Sequence, residues 1–275
     1  MAPPSSSTPS ELLIDALATF GPVTDASPPQ LAGDLLATLR AQNSIGALLE
    51  QRLLDCAGDD ADRRTALVDF VGHAARVLAP HDDPPVEGAP ASAWLALVGV
   101  ANSLNGSGAY PLGRPHFISD ALFRSLLEES HRQIASSEGF GASRVTGQAG
   151  DALAALAVSR QLRESVSRVL GFAVTPTYDA LYEYDPPGSH VRTHVDSRDY
   201  EIVVHLLLEH TSSASGGGVS VLIAHLPGEA APTRIGVRAG EALVLRGRGT
   251  LHSWQALGGD EHRILTAIAF RRERD

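Results

Sequence analysis

Apolar residues recur at spacings of three and four through the first third of the chain. Leu35, Leu36 and Leu39, and then Leu48, Leu49, Leu53 and Leu54, each make one apolar helical stripe. Asp62 to Leu78 repeats the pattern with Leu67, Val68, Phe70, Val71 and Ala75. The pattern predicts helices from Glu11 to about Leu78, broken at Pro28-Pro29, and a further short helix over Ala91 to Val100. Pro80 to Pro90 is rich in Pro and Asp and reads as a loop. Residues 1–9 are rich in Pro and Ser and predict a disordered tail. A Gly- and Pro-rich stretch from Asn105 to Pro115 separates a helical segment, 10–108, from a second unit, 109–275. That unit opens with an amphipathic helix to about Ala135, capped by Ser119 or Asp120, and a second helix over Gln161 to Leu170.

From Val174 the pattern changes. Ala180–Tyr184, Tyr200–Leu208, Val219–Ala224, Thr233–Val237, Ala242–Leu245 and Ile264–Phe270 are short runs of branched and aromatic residues. Turn-forming clusters separate them, among them Asp185-Pro186-Pro187-Gly188, Ser212 to Gly218 and Gly258-Gly259-Asp260. Short strands at this spacing predict a jelly-roll barrel, and helices followed by strands make the class α+β.

Composition narrows the function. The 275 residues are 43% hydrophobic, enough for a sizeable core, and carry a net charge of −10. That charge argues against a nucleic-acid partner held through phosphates. All 22 basic residues are arginine, which excludes lysine Schiff-base chemistry. Cys56 is the single cysteine, so neither an internal disulfide nor a cysteine-rich metal site is available. The first residues lack the basic and apolar regions of a signal peptide, and no apolar run reaches the roughly 20 residues of a membrane span. The expectation is a soluble cytoplasmic protein with no membrane partner.

The candidate chemistry lies in His194-Val195-Asp196 and in His252, 56 residues after Asp196. Two imidazoles and one carboxylate are the ligand set of the facial triad that holds non-haem Fe(II) with coordination positions left open. Residues two apart on a strand point to the same side, which predicts that His194 and Asp196 face a common centre. Arg263 begins the last strand run, where a guanidinium can pair bidentately with a carboxylate. Burial of such a cation would then be met by a bound anion. The plainer reading is a surface arginine paired with Asp260 or Glu261.

The segment Leu181 to Ser197, containing Tyr184-Asp185-Pro186-Pro187-Gly188 and His194-Val195-Asp196, resembles the Fe(II)/2-oxoglutarate-dependent dioxygenase superfamily in its prolyl-4-hydroxylase-like branch. So do Gly216-Gly217-Gly218 and Arg238 to Leu245, the latter like the family's Gly-acidic-hydrophobic strand before the distal histidine. The resemblance covers roughly 109–275. It implies a double-stranded β-helix, a jelly-roll or cupin-like barrel with flanking helices. It also implies His194, Asp196 and His252 as catalytic iron ligands, Arg263 as anchor of the 2-oxoglutarate co-substrate, and O2 as oxidant. A tyrosine of the strand before the triad binds the co-substrate in relatives, which makes Tyr182 and Tyr184 candidates; the alternative is that both are core or rim aromatics. Two departures stand out: Leu265 replaces the serine of the family's Arg-x-Ser, and the helices before residue 109 have no counterpart. Relatives that chlorinate lack the carboxylate ligand, so Asp196 favours hydroxylation.

His190, four residues before His194, has a helical ligand spacing, but the Pro-Pro-Gly turn argues against a helix. His205 and Trp254 are candidates for a pocket wall. Two of Arg192, Arg198, Arg246 and Arg248 at the barrel mouth would suit a substrate carboxylate; solvated surface charge is the equal alternative. The expected activity is hydroxylation of a small molecule such as an amino acid or biosynthetic intermediate. The alternatives are a peptidyl or protein prolyl hydroxylase, which predicts an open groove, and a non-catalytic cupin-like metal-binding or sensor protein. The helical segment would cover the barrel, cap the pocket or form a homodimer interface.

Overall fold

The computed structural model describes residues 8–20, 29–40, 46–80, 84–85, 87–137, 144–211, 218–229 and 231–273. Five helices come first among them: α1 (Pro9–Thr19), α2 (Pro29–Arg40), α3 (Gly46–Ala57), α4 (Ala61–Leu78) and α5 (Gly88–Asn105). Next come β1 (Ala109–Gly113), α6 (Asp120–Ala135), β2 (Val145–Gln148), α7 (Asp151–Ala157) and α8 (Arg160–Leu170). The rest is strand: β3 (Val174–Asp185), β4 (Val191–His194), β5 (Ile202–Thr211), β6 (Ser220–His225), β7 (Thr233–Val237), β8 (Ala242–Leu245), β9 (Leu251–Trp254) and β10 (His262–Arg272).

Local chemistry sets the helix ends. Thr8 caps α1 in a reciprocal box with Glu11, Asp60 caps α4 through the Arg63 N–H, and Ser119 and Ser159 do the same for α6 and α8. Each such cap contributes about 1 kcal/mol. The cap on α1 places Thr8 and Pro9 in ordered structure, against the expected tail; the remainder of that tail lies outside the described residues.

The strands form two antiparallel sheets. The larger has the order β1-β8-β5-β10-β3-β2 and the smaller β4-β9-β6-β7. From β3 onward the chain passes between them: β3, β5, β8 and β10 lie in the larger sheet, and β4, β6, β7 and β9 in the smaller. Val203, Leu207, Leu243 and Leu265 from one sheet and Leu222 and Trp254 from the other share a core between them. Tyr182, Val204, Val244 and Ile268 on the opposite face of the larger sheet pack under α6, α7 and α8. Strand alternation therefore gives the larger sheet one side toward the smaller sheet and one toward the helices.

The N-terminal helices build a separate core around Leu13, Leu35, Leu53, Leu67, Phe70 and Leu97. That core also takes in Leu251 and, partly buried, Val195. The helices thus pack directly behind the segments that carry the candidate ligands. Among the described residues no helix is long and apolar enough to cross a membrane.

Four short strands, β1, β2, β4 and β9, and one helix escape the sequence pattern. β1 carries Pro111 and β2 carries Gly147, residues that weaken a strand reading; both strands lie at the edges of the larger sheet, where such residues are tolerated. The helix α7 is seven residues long, too short for a periodic signal.

Candidate metal centre and adjoining cavity

β4 and β9 are antiparallel neighbours, and His194 and His252 are direct cross-strand partners. Their rings stand 4.3 Å apart between centroids. The chain leaves β4 at His194, so Asp196 is aimed by a loop and not by the strand alternation expected from the sequence. Two hydrogen bonds fix that loop: the Asp196 N–H donates to the Gly247 carbonyl at 3.0 Å, and Arg248 Nη1 donates to the Asp196 carbonyl at 3.0 Å. Asp196 Oδ1 lies 3.4 Å from His194 Nε2 and 3.6 Å from His252 Nε2. Among the described residues, these three side chains form the one group of His, Cys, Asp or Glu with ligand atoms mutually within 4.8 Å. His190 is not part of it.

The group fits a metal ion. Ligand atoms adjacent on an octahedron with bonds of about 2.1 Å lie about 3.0 Å apart, a few tenths closer than here. His194 Nδ1 sits 2.8 Å from the Arg192 carbonyl and His252 Nδ1 2.9 Å from the Thr250 carbonyl. A carbonyl only accepts, so both protons are on Nδ1 and both Nε2 lone pairs face the centre. Asp196 Oδ1 is the carboxylate oxygen that faces both Nε2 atoms, while Oδ2 is buried beside Gly247 without a hydrogen-bond partner. Burial, with a smaller contribution from His194, pushes His252 down to about 3, so its imidazole is neutral and needs no deprotonation before it binds metal. Burial alone would raise Asp196, but His252 and His194 hold its carboxyl well below the usual range.

A cavity of about 190 Å³ adjoins the triad, lined also by Arg144, Glu183, Tyr200, His205 and Trp254. His205 and Trp254 are the wall residues the sequence suggested. Behind the wall is a charged network. Arg144 Nη1 donates to Glu183 Oε1 at 2.6 Å, and its Nε and Nη2 donate to Asp185 at 2.6 and 3.0 Å. Arg263 Nε and Nη2 both donate to Asp185 Oδ2, at 2.8 and 2.5 Å. Asp185 therefore holds two guanidinium groups. Burial works against its ionisation, but the Arg144 and Arg263 charges and hydrogen bonds outweigh it and lower its pKa.

Three sequence expectations change here. Arg263 is 1% exposed, which removes the surface reading, yet its burial is met by Asp185 and by the Trp254 ring 4.7 Å away, and a bound anion is not required. Only its Nη1 is buried without a partner. Tyr182 and Tyr184 do not line the cavity: Tyr182 is fully buried on the helix side and donates to Glu129 at 2.6 Å, and Tyr184 packs on that side against His262. The strand alternation of β3 turns Leu181 and Glu183 inward instead. That parity was available in the sequence and marks Glu183 and Asp185; Arg144, outside any motif, carried no signal.

No protein-family model and no curated protein matches this sequence. Solved structures with partial likeness include the non-haem α-ketoglutarate-dependent epimerase SnoN from nogalamycin biosynthesis (15% identity, 64% of this chain and 82% of that chain, TM-score 0.46). A prolyl-4-hydroxylase from Pseudomonas putida aligns at 19% identity over 64% of this chain and 99% of its own, with a TM-score of 0.45. HygX from Streptomyces hygroscopicus, solved with nickel, 2-oxoglutarate and hygromycin B, aligns at 16% identity over 60% and 82%, with a TM-score of 0.46. Likenesses at this level fix neither the fold nor the chemistry of this chain.

Proposed function

We propose that this protein is an Fe(II)- and 2-oxoglutarate-dependent oxygenase that hydroxylates a small molecule, on a barrel of the double-stranded β-helix type. The observation that carries the proposal is the His194, Asp196 and His252 cluster, with two Nε2 lone pairs gathered around Asp196 Oδ1. The repeated passage of β3 to β10 between two sheets supports the barrel reading. In it, His194, Asp196 and His252 hold the metal, and Arg263 Nη1 is the donor left for the far carboxylate of the co-substrate. Iron with bound 2-oxoglutarate would supply oxidation of an unactivated C–H by O2, with succinate and carbon dioxide as co-products.

The chain's own residues orient the reactants and keep water out. Trp254 and Leu181 give the cavity an apolar wall, and the helical layer backs the ligand loop. The small volume of the cavity favours a small-molecule substrate over a prolyl peptide, which needs a groove.

One observation favours a second reading. Glu183 and Asp185 already neutralise Arg144 and Arg263, so the wall offers a dianion no surplus positive charge. A cupin-like metal-binding protein without turnover would have such a wall.

Anaerobic titration with Fe(II) and then 2-oxoglutarate separates the two. The weak visible charge-transfer band of the chelate is expected, absent in His252→Ala and shifted to far higher co-substrate concentration in Arg263→Ala. Metal binding without the band would establish the second reading. No metal binding would sink both.

A further inference from the structure

We propose that a second cavity, between the N-terminal helices and the barrel, binds a phosphate group carried by the substrate. This deepens the oxygenase reading and rests on it for the identity of the bound molecule as substrate. The cavity has a volume of about 720 Å³ and is lined from α4 and its cap, from the end of α5, and from the loops and last strand of the barrel.

Its charge is the first argument. Arg64, Arg198, Arg246 and Arg272 line it against the carboxylates of Asp59 and Glu201. Arg248 lines it too but is committed, with Nη1 on Asp69 at 2.6 Å and on the Asp196 carbonyl. Among the described residues none of the other four arginines has an ion-pair partner. Four cations against two carboxylates leave an excess of two positive charges, in a chain whose net charge is −10. A phosphomonoester carries about 1.5 to 2 negative charges at neutral pH.

Arrangement is the second argument. Arg246 and Arg272 approach the same ring, Phe172, at 5.5 and 4.7 Å. Arg246 is further fixed by its Nη2, which donates to the Asn105 carbonyl at 2.5 Å. Both guanidinium groups are thus gathered at one ring. A carboxylate fills one guanidinium fork, whereas a phosphate has oxygens for several. The end of α4 does not supply the donors, because Asp60 already caps it.

Position is the third. Asp196, Ser197 and Tyr200 line the cavity beside the triad, and Arg198 and Glu201 line this one. A single loop therefore separates the metal centre from the arginines. The two cavities thus adjoin one loop, and in this proposal the substrate reaches the metal centre from the phosphate site.

The test is isothermal titration of metal-free protein with phenyl phosphate, inorganic phosphate and benzoate, for the wild type and for Arg64→Gln and Arg272→Gln. Both arginines are exposed, so both variants retain the wild-type melt. Phenyl phosphate is expected to bind at one site, more tightly than inorganic phosphate, and each variant to weaken it roughly tenfold, the loss of one charge-assisted hydrogen bond. Absent binding, binding unchanged in both variants, or benzoate binding as tightly would overturn the proposal. Inorganic phosphate binding more tightly than the ester would assign the site to free phosphate and also overturn it. Fe(II) titration of the same samples keeps the two readings apart: phosphate binding without iron binding sinks the oxygenase alone, and the converse sinks this site alone.

Discussion

Asp185→Asn is the most informative single change, because one buried carboxylate holds two guanidinium groups. Asp185 is fully buried and accepts four hydrogen bonds, two from Arg144 and two from Arg263. The amide keeps the shape and removes the charge. Arg144 retains Glu183, whereas Arg263 loses its hydrogen-bonded carboxylate and keeps the Trp254 ring and the amide oxygen. Removing one partner of a buried pair costs about 3–5 kcal/mol, and the amide oxygen that remains keeps the loss toward the lower end. The expected loss is about 3 kcal/mol by urea unfolding at neutral pH, with an unchanged m-value, and a Tm lower by roughly 6–12 °C. A loss under about 1 kcal/mol would mean that Arg263 is compensated elsewhere and would refute the network as drawn. The pH arm follows from the sign of the shift. Asp185 is lowered in the folded protein, so its contribution is full above the unfolded carboxylate value of about 3.9 and fades as pH falls through the folded value. The wild-type and variant stability curves therefore converge in acid. Added 2-oxoglutarate should stabilise the variant more than the wild type, because Arg263 is released to meet it.

Three further outcomes follow from the geometry. Gly247→Ala puts a methyl group onto the Asp196 carboxylate and within 2.8 Å of the Tyr200 carbonyl; Fe(II) affinity should fall at least about tenfold, and unchanged affinity would show that Gly247 does not set the ligand loop. Tyr182→Phe strips Glu129 of one donor and should cost about 1–2 kcal/mol while leaving 2-oxoglutarate affinity intact; a large drop in that affinity would return the tyrosine to the cavity. Phe70→Ala empties a fully buried position in the helical core and should cost about 3–5 kcal/mol by the same urea assay.

Much of this was legible in the chain. Leu35, Leu39, Leu49, Leu53 and Leu67 announced the helical core through their spacing, and all are buried. The strand runs from Ala180 onward were found because branched residues there alternate with turn clusters. The triad was readable as a ligand set, but its geometry was not. The cross-strand pairing of His194 with His252 depends on register, and the aim of Asp196 depends on Gly247 and Arg248, about fifty residues away. Tyr182 was a candidate through the family resemblance, with a core aromatic as the alternative, and the pleat of β3 sets it on the helix side. Arg144 was invisible because its meaning comes from partners 39 and 41 residues away.

The helical core reaches into the metal loop, and this makes the two parts one thermodynamic system. Val195, between two ligands, and Leu251, beside the third, belong to the core of α1 to α5. Gly72 of α4 lies so close to Val195 that a methyl group there would meet its Cγ2 at 3.0 Å. Iron held at the cluster at a hundred times its Kd would add about 2.7 kcal/mol to the folded state, and the linkage would spread that protection to the amides of α4. Coupling of this kind is reciprocal. Whatever seats on the outer face of α4 would gain the same leverage over the affinity of a metal at the cluster that the metal would have over the helix.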